Sequence, residues 1–90
     1  MRLDQFLSET HLIKRRPQAK KACENKIVLV DGAVCKAHKE IKKGQIITIN
    51  FTHRILEVEV LDLPPKNLKK EDAPNFYQIR KDVKIKADLF

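Results

Sequence analysis

The sequence predicts an α+β domain: two short packed helices against a small antiparallel sheet with a β-hairpin, followed by a basic C-terminal tail. Three observations carry this expectation. Apolar residues recur at helical spacing only near the start of the chain. From Ile27 to Val60 the pattern changes to β-rich runs punctuated by Asp31-Gly32 and Lys43-Gly44. Beyond Pro64-Pro65 the periodicity weakens and charged residues take over.

The first helix is expected from Leu3 to Thr10, because Leu3, Phe6 and Leu7 stand at i, i+3 and i+4 and give it one apolar face. A break at Thr10-His11 follows, and Leu12 and Ile13 return the chain to the core. The second helix is expected to begin near Pro17, since proline suits the first helical position. Its inner face is Ala19, Ala22 and Cys23, small enough for close approach to a neighbour. Asn25 is the expected left-handed terminator. Ile27 to Val30 forms a strand, Asp31-Gly32 a type I′ turn, and Ala33-Val34-Cys35 the return strand. Lys43-Gly44 turns the chain into a strand from Gln45 to Phe51. Arg54 to Val60 alternates, with Leu56, Val58 and Val60 on one face and Glu57 and Glu59 on the other. Pro64-Pro65 is expected to end the sheet.

Ninety residues suffice for one modest core and leave little room for a catalytic cleft with its own support. The expected organisation is a domain over residues 1–63 and a basic extension over 64–90. No apolar run approaches the ~20 residues of a membrane span, and no signal-peptide pattern opens the chain, so a cytoplasmic protein is expected. Cys23 and Cys35 form no CxxC pair and make no ligand pattern with His11, His38 or His53, so no metal and no cofactor are expected.

The balance of 19 Lys and Arg against 12 Asp and Glu gives a net charge of +7, the footprint of a nucleic-acid binder. Its placement says more than its size. Lys14, Arg15 and Arg16 stand just before the second helix, and Lys20, Lys21 and Lys26 lie along or after it. Arginines at a helix start can grip phosphate together with free backbone N–H groups. A second cluster, Lys36, Lys39, Lys42 and Lys43 with His38, falls in a loop between strands. If the second helix packs beside the hairpin, both clusters border one concave surface. The alternative is ordinary solubilising surface charge. Few aromatics are free to stack bases, which argues for recognition of a folded RNA by shape and backbone.

Four runs resemble a known family: Met1-Arg2-Leu3-Asp4-Gln5-Phe6-Leu7, Ile13-Lys14-Arg15-Arg16-Pro17-Gln18-Ala19, Val28-Leu29-Val30-Asp31-Gly32-Ala33-Val34 and Ile41-Lys42-Lys43-Gly44-Gln45. In order and spacing they are similar to the S-four RNA-binding domain, whose fold carries the αL-type RNA-binding motif, over about residues 1–60. Asn25 departs from a common Gly, Pro17 from a common Ser or Thr, and Lys42-Lys43 from a common Val-Pro or Lys-Pro. The start, the Ile13–Arg16 run, and a tail with Lys69-Lys70-Glu71-Asp72-Ala73 and Tyr77 resemble the short, free-standing RqcP and heat-shock-protein-fifteen families.

The resemblance implies a non-catalytic factor of ribosome-associated quality control. Its implied partners are large-subunit ribosomal RNA, peptidyl-tRNA held in the P-site, and the factor that elongates the stalled nascent chain. A monomer with no membrane partner is expected. The candidate RNA-binding set is Arg2, Asp4, Lys14, Arg15, Arg16, Lys20, Lys21, Lys36, Lys39, Lys42 and Lys43. Two readings of Asp4 stand: it orients Arg2 or Arg16 through a charge-assisted bond, or it only steadies the first helical turn through the dipole. Three other functions compete. A ribosomal subunit assembly or recycling factor would use the same RNA contacts. An RNA-modifying enzyme lacks its catalytic sequence here. A helix-turn-helix DNA reader lacks a recognition helix suited to base edges.

Overall fold

Helical spacing at the start becomes two helices, α1 (Leu3–Glu9) and α2 (Arg16–Glu24). The computed structural model describes residues 1–85, so the end of the 64–90 extension, residues 86–90, lies outside the described residues. α1 buries Leu3, Phe6 and Leu7 completely. It stops at Thr10, whose hydroxyl donates to the Phe6 carbonyl at 2.7 Å, and His11 then takes a φ of 59° that reverses the chain. Ile13 is buried and Leu12 packs against the core, as the sequence predicts.

α2 ends differently from expectation. Asn25 keeps φ at −84°, and the left-handed residue is Lys26, at 62°. The helix runs far enough to use Asn25 as its half-in cap, so the reversal falls one residue later. Lys26 N–H donates to the Cys23 carbonyl and Ile27 N–H to the Ala22 carbonyl, both at 3.0 Å, the paired bonds of a Schellman ending.

The sheet comprises β1 (Val28–Val30), β2 (Ala33–Val34), β3 (Ile46–Phe51), β4 (Arg54–Val60) and β5 (Tyr77–Lys84), in the order β2-β1-β3-β4-β5, with every pair antiparallel. The two-residue turn joining β1 and β2 has Asp31 at φ 51° and Gly32 at 83°, as a type I′ turn requires. Gly44 takes φ 86° at the second predicted turn. Val28, Val30, Ile47, Ile49, Leu56, Val58 and Val60 share the face covered by the helices and form one core with them.

Pro64-Pro65 does not end the sheet. The chain crosses through a 3₁₀ segment, Lys70–Phe76, and returns as β5, placing Tyr77 opposite Val60 and Ile79 opposite Val58. An edge strand beyond the reach of the helices buries little. Its charged sequence therefore masks it, and a register shift at Glu57/Val58 further breaks its alternation. Among the described residues no helix is long and apolar enough to cross a membrane.

Arg54 clamps β5 to β4. Its Nε and Nη2 donate to the two Asp82 carboxylate oxygens at 2.7 and 3.0 Å. The hydrogen bonds from Arg54 hold the Asp82 carboxyl below its ordinary range. A carboxylate depressed in the folded state contributes stability above its unfolded pKa and loses it as pH falls through the folded value. Acidification below about pH 4 should therefore weaken this clamp. The expected result is a smaller loss of melting temperature on acidification in Asp82→Asn than in the parent chain. Equal losses would show that the clamp does not contribute.

Candidate nucleic-acid interface

The site begins with how the first turn of α1 is satisfied. The N-cap residue, Arg2, makes no side-chain cap. Instead Leu3 N–H donates to the Lys39 carbonyl at 2.8 Å and Asp4 N–H to the Ala37 carbonyl at 3.0 Å. Two of the helix's orphan donors are thereby met by the basic loop itself. The loop after β2 is fastened across the start of α1, which brings Lys36 and His38 round to face α2.

Asp4 is the centre of the charge arrangement. Its side chain is 3% exposed, yet its two oxygens serve four donors. Arg2 Nε donates to Oδ1 and Arg2 Nη2 to Oδ2, each at 3.2 Å. Arg16 Nε donates to Oδ2 at 3.4 Å, and Gln5 N–H donates to Oδ1 at 2.8 Å. Both guanidiniums remain nearly half exposed. A buried carboxylate thus aims two solvent-facing arginines from the ends of different helices. The orienting reading of Asp4 describes this geometry, and the bond to Gln5 N–H adds the helix-start role to it.

Two depressions meet at this array. The smaller, about 420 Å³, is lined by Arg2, Asp4, Arg16, Pro17 and Lys20. The larger is a groove of about 650 Å³ between α2 and the hairpin. Its rim carries Arg2, Lys20, Lys26, Lys36, His38 and Glu24, and its floor is Cys23, Val34, Cys35 and Ala37. Arg2 and Lys20 belong to both. A concave surface therefore lies between helix and hairpin, bordered by Lys20 and Lys26 of the first basic cluster and by Lys36 and His38 of the second, with the rest of both clusters outside it. Burial, helped by the nearby Asp4, Cys35 and Glu24, pushes the Cys23 thiol up to about 11, so the deepest part of the floor is uncharged near neutrality.

The structure gathers Arg2, Asp4, Arg16, Lys20 and Lys36 from the candidate set. Lys14, Arg15, Lys21, Lys39, Lys42 and Lys43 are exposed and line neither depression. Lys43 pairs with Asp62 at 3.4 Å, and the Lys42 N–H is taken by Gln45 Oε1. Arg15 caps α2 through its carbonyl, which accepts from Ala19 N–H. Lys26 and His38 were absent from the candidate set and line the groove. Each belongs to a basic cluster of the sequence, Lys26 to the first and His38 to the second. The signal that would have selected Lys26 is the helix ending, since a left-handed residue after α2 turns the chain toward the hairpin.

A helix pair and hairpin with a cation-lined groove between them, and two arginines pinned by one carboxylate beside it, define a small RNA-binding module. The chain belongs to the S4 domain family, whose model matches residues 1–47, and within it to the RQC P-site tRNA stabilizing factors. The factor of that name from Halalkalibacterium halodurans is 38% identical over 85 residues, covering 94% of this chain and 96% of the relative. The Bacillus subtilis factor is also 38% identical over 85 residues, covering 94% and 98%. The Streptococcus pneumoniae factor is 32% identical over 89 residues, covering 99% and 100%. Among solved structures, heat shock protein 15 of Vibrio cholerae, a trimer, superposes with a TM-score of 0.83 at 23% identity, over 88% of this chain and 80% of that one. The solution structure of a hypothetical protein gives 0.78 at 33% identity, over 90% and 98%.

Proposed function

We propose that this protein is a non-catalytic, cytoplasmic factor of ribosome-associated quality control. It binds large-subunit ribosomal RNA and peptidyl-tRNA on obstructed large subunits. There it keeps the tRNA in the P-site while a partner factor extends the stalled nascent chain. The observation that carries the reading is the Arg2–Asp4–Arg16 array beside the groove, two half-exposed guanidiniums held by one buried carboxylate. Such groups suit RNA backbone, where Arg forms bidentate bonds with phosphate oxygens. The names and near full-length similarity of the relatives support the ribosomal setting.

The test is recovery of tagged protein with ribosomal particles, for the parent chain and for Arg15→Ala with Arg16→Ala. The parent should co-sediment with large subunits carrying P-site tRNA, and the double variant should be depleted from them while keeping its circular dichroism spectrum. With about five phosphate contacts, the log–log salt slope of RNA binding should be roughly −3 to −5 and become shallower in the variant. Unchanged co-sedimentation would remove this surface from the RNA contact. Recovery on immature particles without tRNA would assign the protein to subunit assembly instead.

A further inference from the structure

The phosphate-gripping array leaves the floor of the larger groove unexplained. A-form duplex presents phosphates and 2′-hydroxyls, with its bases stacked inside. It has no use for an apolar depression. Val34 is 52% exposed at the end of β2, a large apolar side chain left open to solvent beside Cys35. Cations surround this floor on both sides, Lys20 and Lys26 from α2 and its ending, Lys36 from the loop. The rim's cations outnumber its one carboxylate, Glu24, and an apolar floor within a net-positive rim suits a ligand that is planar and apolar at one end and anionic at the other. At about 650 Å³ the groove lies within the roughly 300–1,000 Å³ of small-ligand sites.

We propose that this groove seats one unstacked nucleotide of a single-stranded RNA segment, its phosphate on the lysine rim and its base over Val34 and Cys35 beside the Arg2 guanidinium. This rests on the RNA-binding reading above and deepens it. The groove has no Phe, Tyr or Trp in its lining, so Arg2 supplies the planar surface. Its guanidinium is fixed at two nitrogens by Asp4, and bases stack on guanidinium planes as they do on aromatic rings. The occupant is part of a chain, because the positive surface does not stop at one nucleotide. It continues through Arg2 and Lys20 into the depression beside Arg16, where the neighbouring phosphates run on.

Cys35 gives the experiment a reporter inside the groove. It is half-buried and reachable, whereas Cys23 beneath it is buried and marks any opening of the fold. Alkylation of each thiol by iodoacetamide is followed by mass spectrometry on the unaltered protein. It is measured alone, with an RNA hairpin carrying an unpaired loop, with a blunt RNA duplex of equal phosphate number, and with adenosine or uridine monophosphate. Binding of both RNAs is measured in parallel by fluorescence anisotropy. At a hairpin concentration about ten times its dissociation constant, Cys35 alkylation should slow about tenfold by mass action. The duplex at the same occupancy should leave the rate unchanged.

Bound hairpin that fails to protect Cys35, or bound duplex that protects it equally, overturns the nucleotide seat and leaves the RNA-binding reading standing. Protection by a free monophosphate at the hairpin's working concentration overturns the assignment to an RNA chain. Failure of both RNAs to bind overturns the RNA-binding reading, and the seat with it.

Discussion

Replacing Asp4 with Asn should weaken RNA binding about tenfold, even though it raises the net charge of +7 by one. The two ways of attributing affinity predict opposite signs here. If affinity followed total charge, removing a carboxylate beside the RNA surface would tighten binding. If it depends on where the guanidiniums point, removing the group that aims them must loosen it. The geometry favours the second. Asp4 holds Arg2 through two bonds and Arg16 through one, and all three close on a side chain with almost no solvent contact. Without the charge, two adjacent cations repel each other and regain rotamer freedom that RNA binding must then restrict. One lost charge-assisted bond's worth of pre-organisation, about 1.4 kcal/mol, corresponds to that tenfold.

The same substitution should cost folding no more than it costs binding. Asn retains an oxygen to accept from Gln5 N–H, and both arginines are exposed enough to rehydrate, so a stability loss of about 1 kcal/mol is expected. Anisotropy with a ribosomal RNA hairpin at fixed salt measures the first effect and thermal melting the second. Equal or tighter RNA binding by a folded Asp4→Asn protein would remove the orienting role and leave Asp4 as a helix-start residue.

The contrast between Asp4 and Lys26 shows what was legible in the sequence. The sequence left open whether Asp4 orients Arg2 or Arg16 or only steadies its helix: Arg2 is two residues away, but Arg16 is twelve away and reaches Asp4 only through the packing of the two helices. The β1–β2 turn and the alternation of β4 were legible, since a dipeptide or a period of two contains the information. The groove was not. Its floor needs Cys35 and Ala37 brought against Cys23 by bonds from Leu3 and Asp4 N–H to carbonyls more than thirty residues away. Lys26 reaches its rim only because the left-handed position falls there instead of on Asn25. No local pattern encodes such long-range closures. The fifth strand was hidden by a related effect. A strand covered on neither face needs no apolar alternation, so Tyr77–Lys84 reads as a charged tail although it pairs along all of β4.

That pairing makes truncation after Leu63 the most damaging change expected outside the buried core. β4 would become the sheet edge, and the N–H and C=O groups that its alternate residues turn toward β5 would be released. Val58 and Val60, now 0% and 1% exposed, would lose Ile79 and Tyr77 beside them. Tyr77, which packs on the core, and the buried Ala73 would go as well. Loss of this apolar cover and of the β4–β5 ladder should cost roughly 3–5 kcal/mol, a large share of the 5–15 typical of a domain. For a chain this short, a loss of about 3 kcal/mol lowers the melting temperature by roughly 12–24 °C. RNA binding should respond differently. The groove lies against β2, at the opposite edge of the sheet from β5. Distant sites are nearly independent, so the truncated chain, measured cold enough to stay folded, should keep its hairpin affinity within roughly threefold. An unchanged melting temperature would establish residues 1–63 as a self-sufficient domain with β5 as a passive addition. Loss of both stability and affinity under folded conditions would mean that the far strand supports the groove through the sheet.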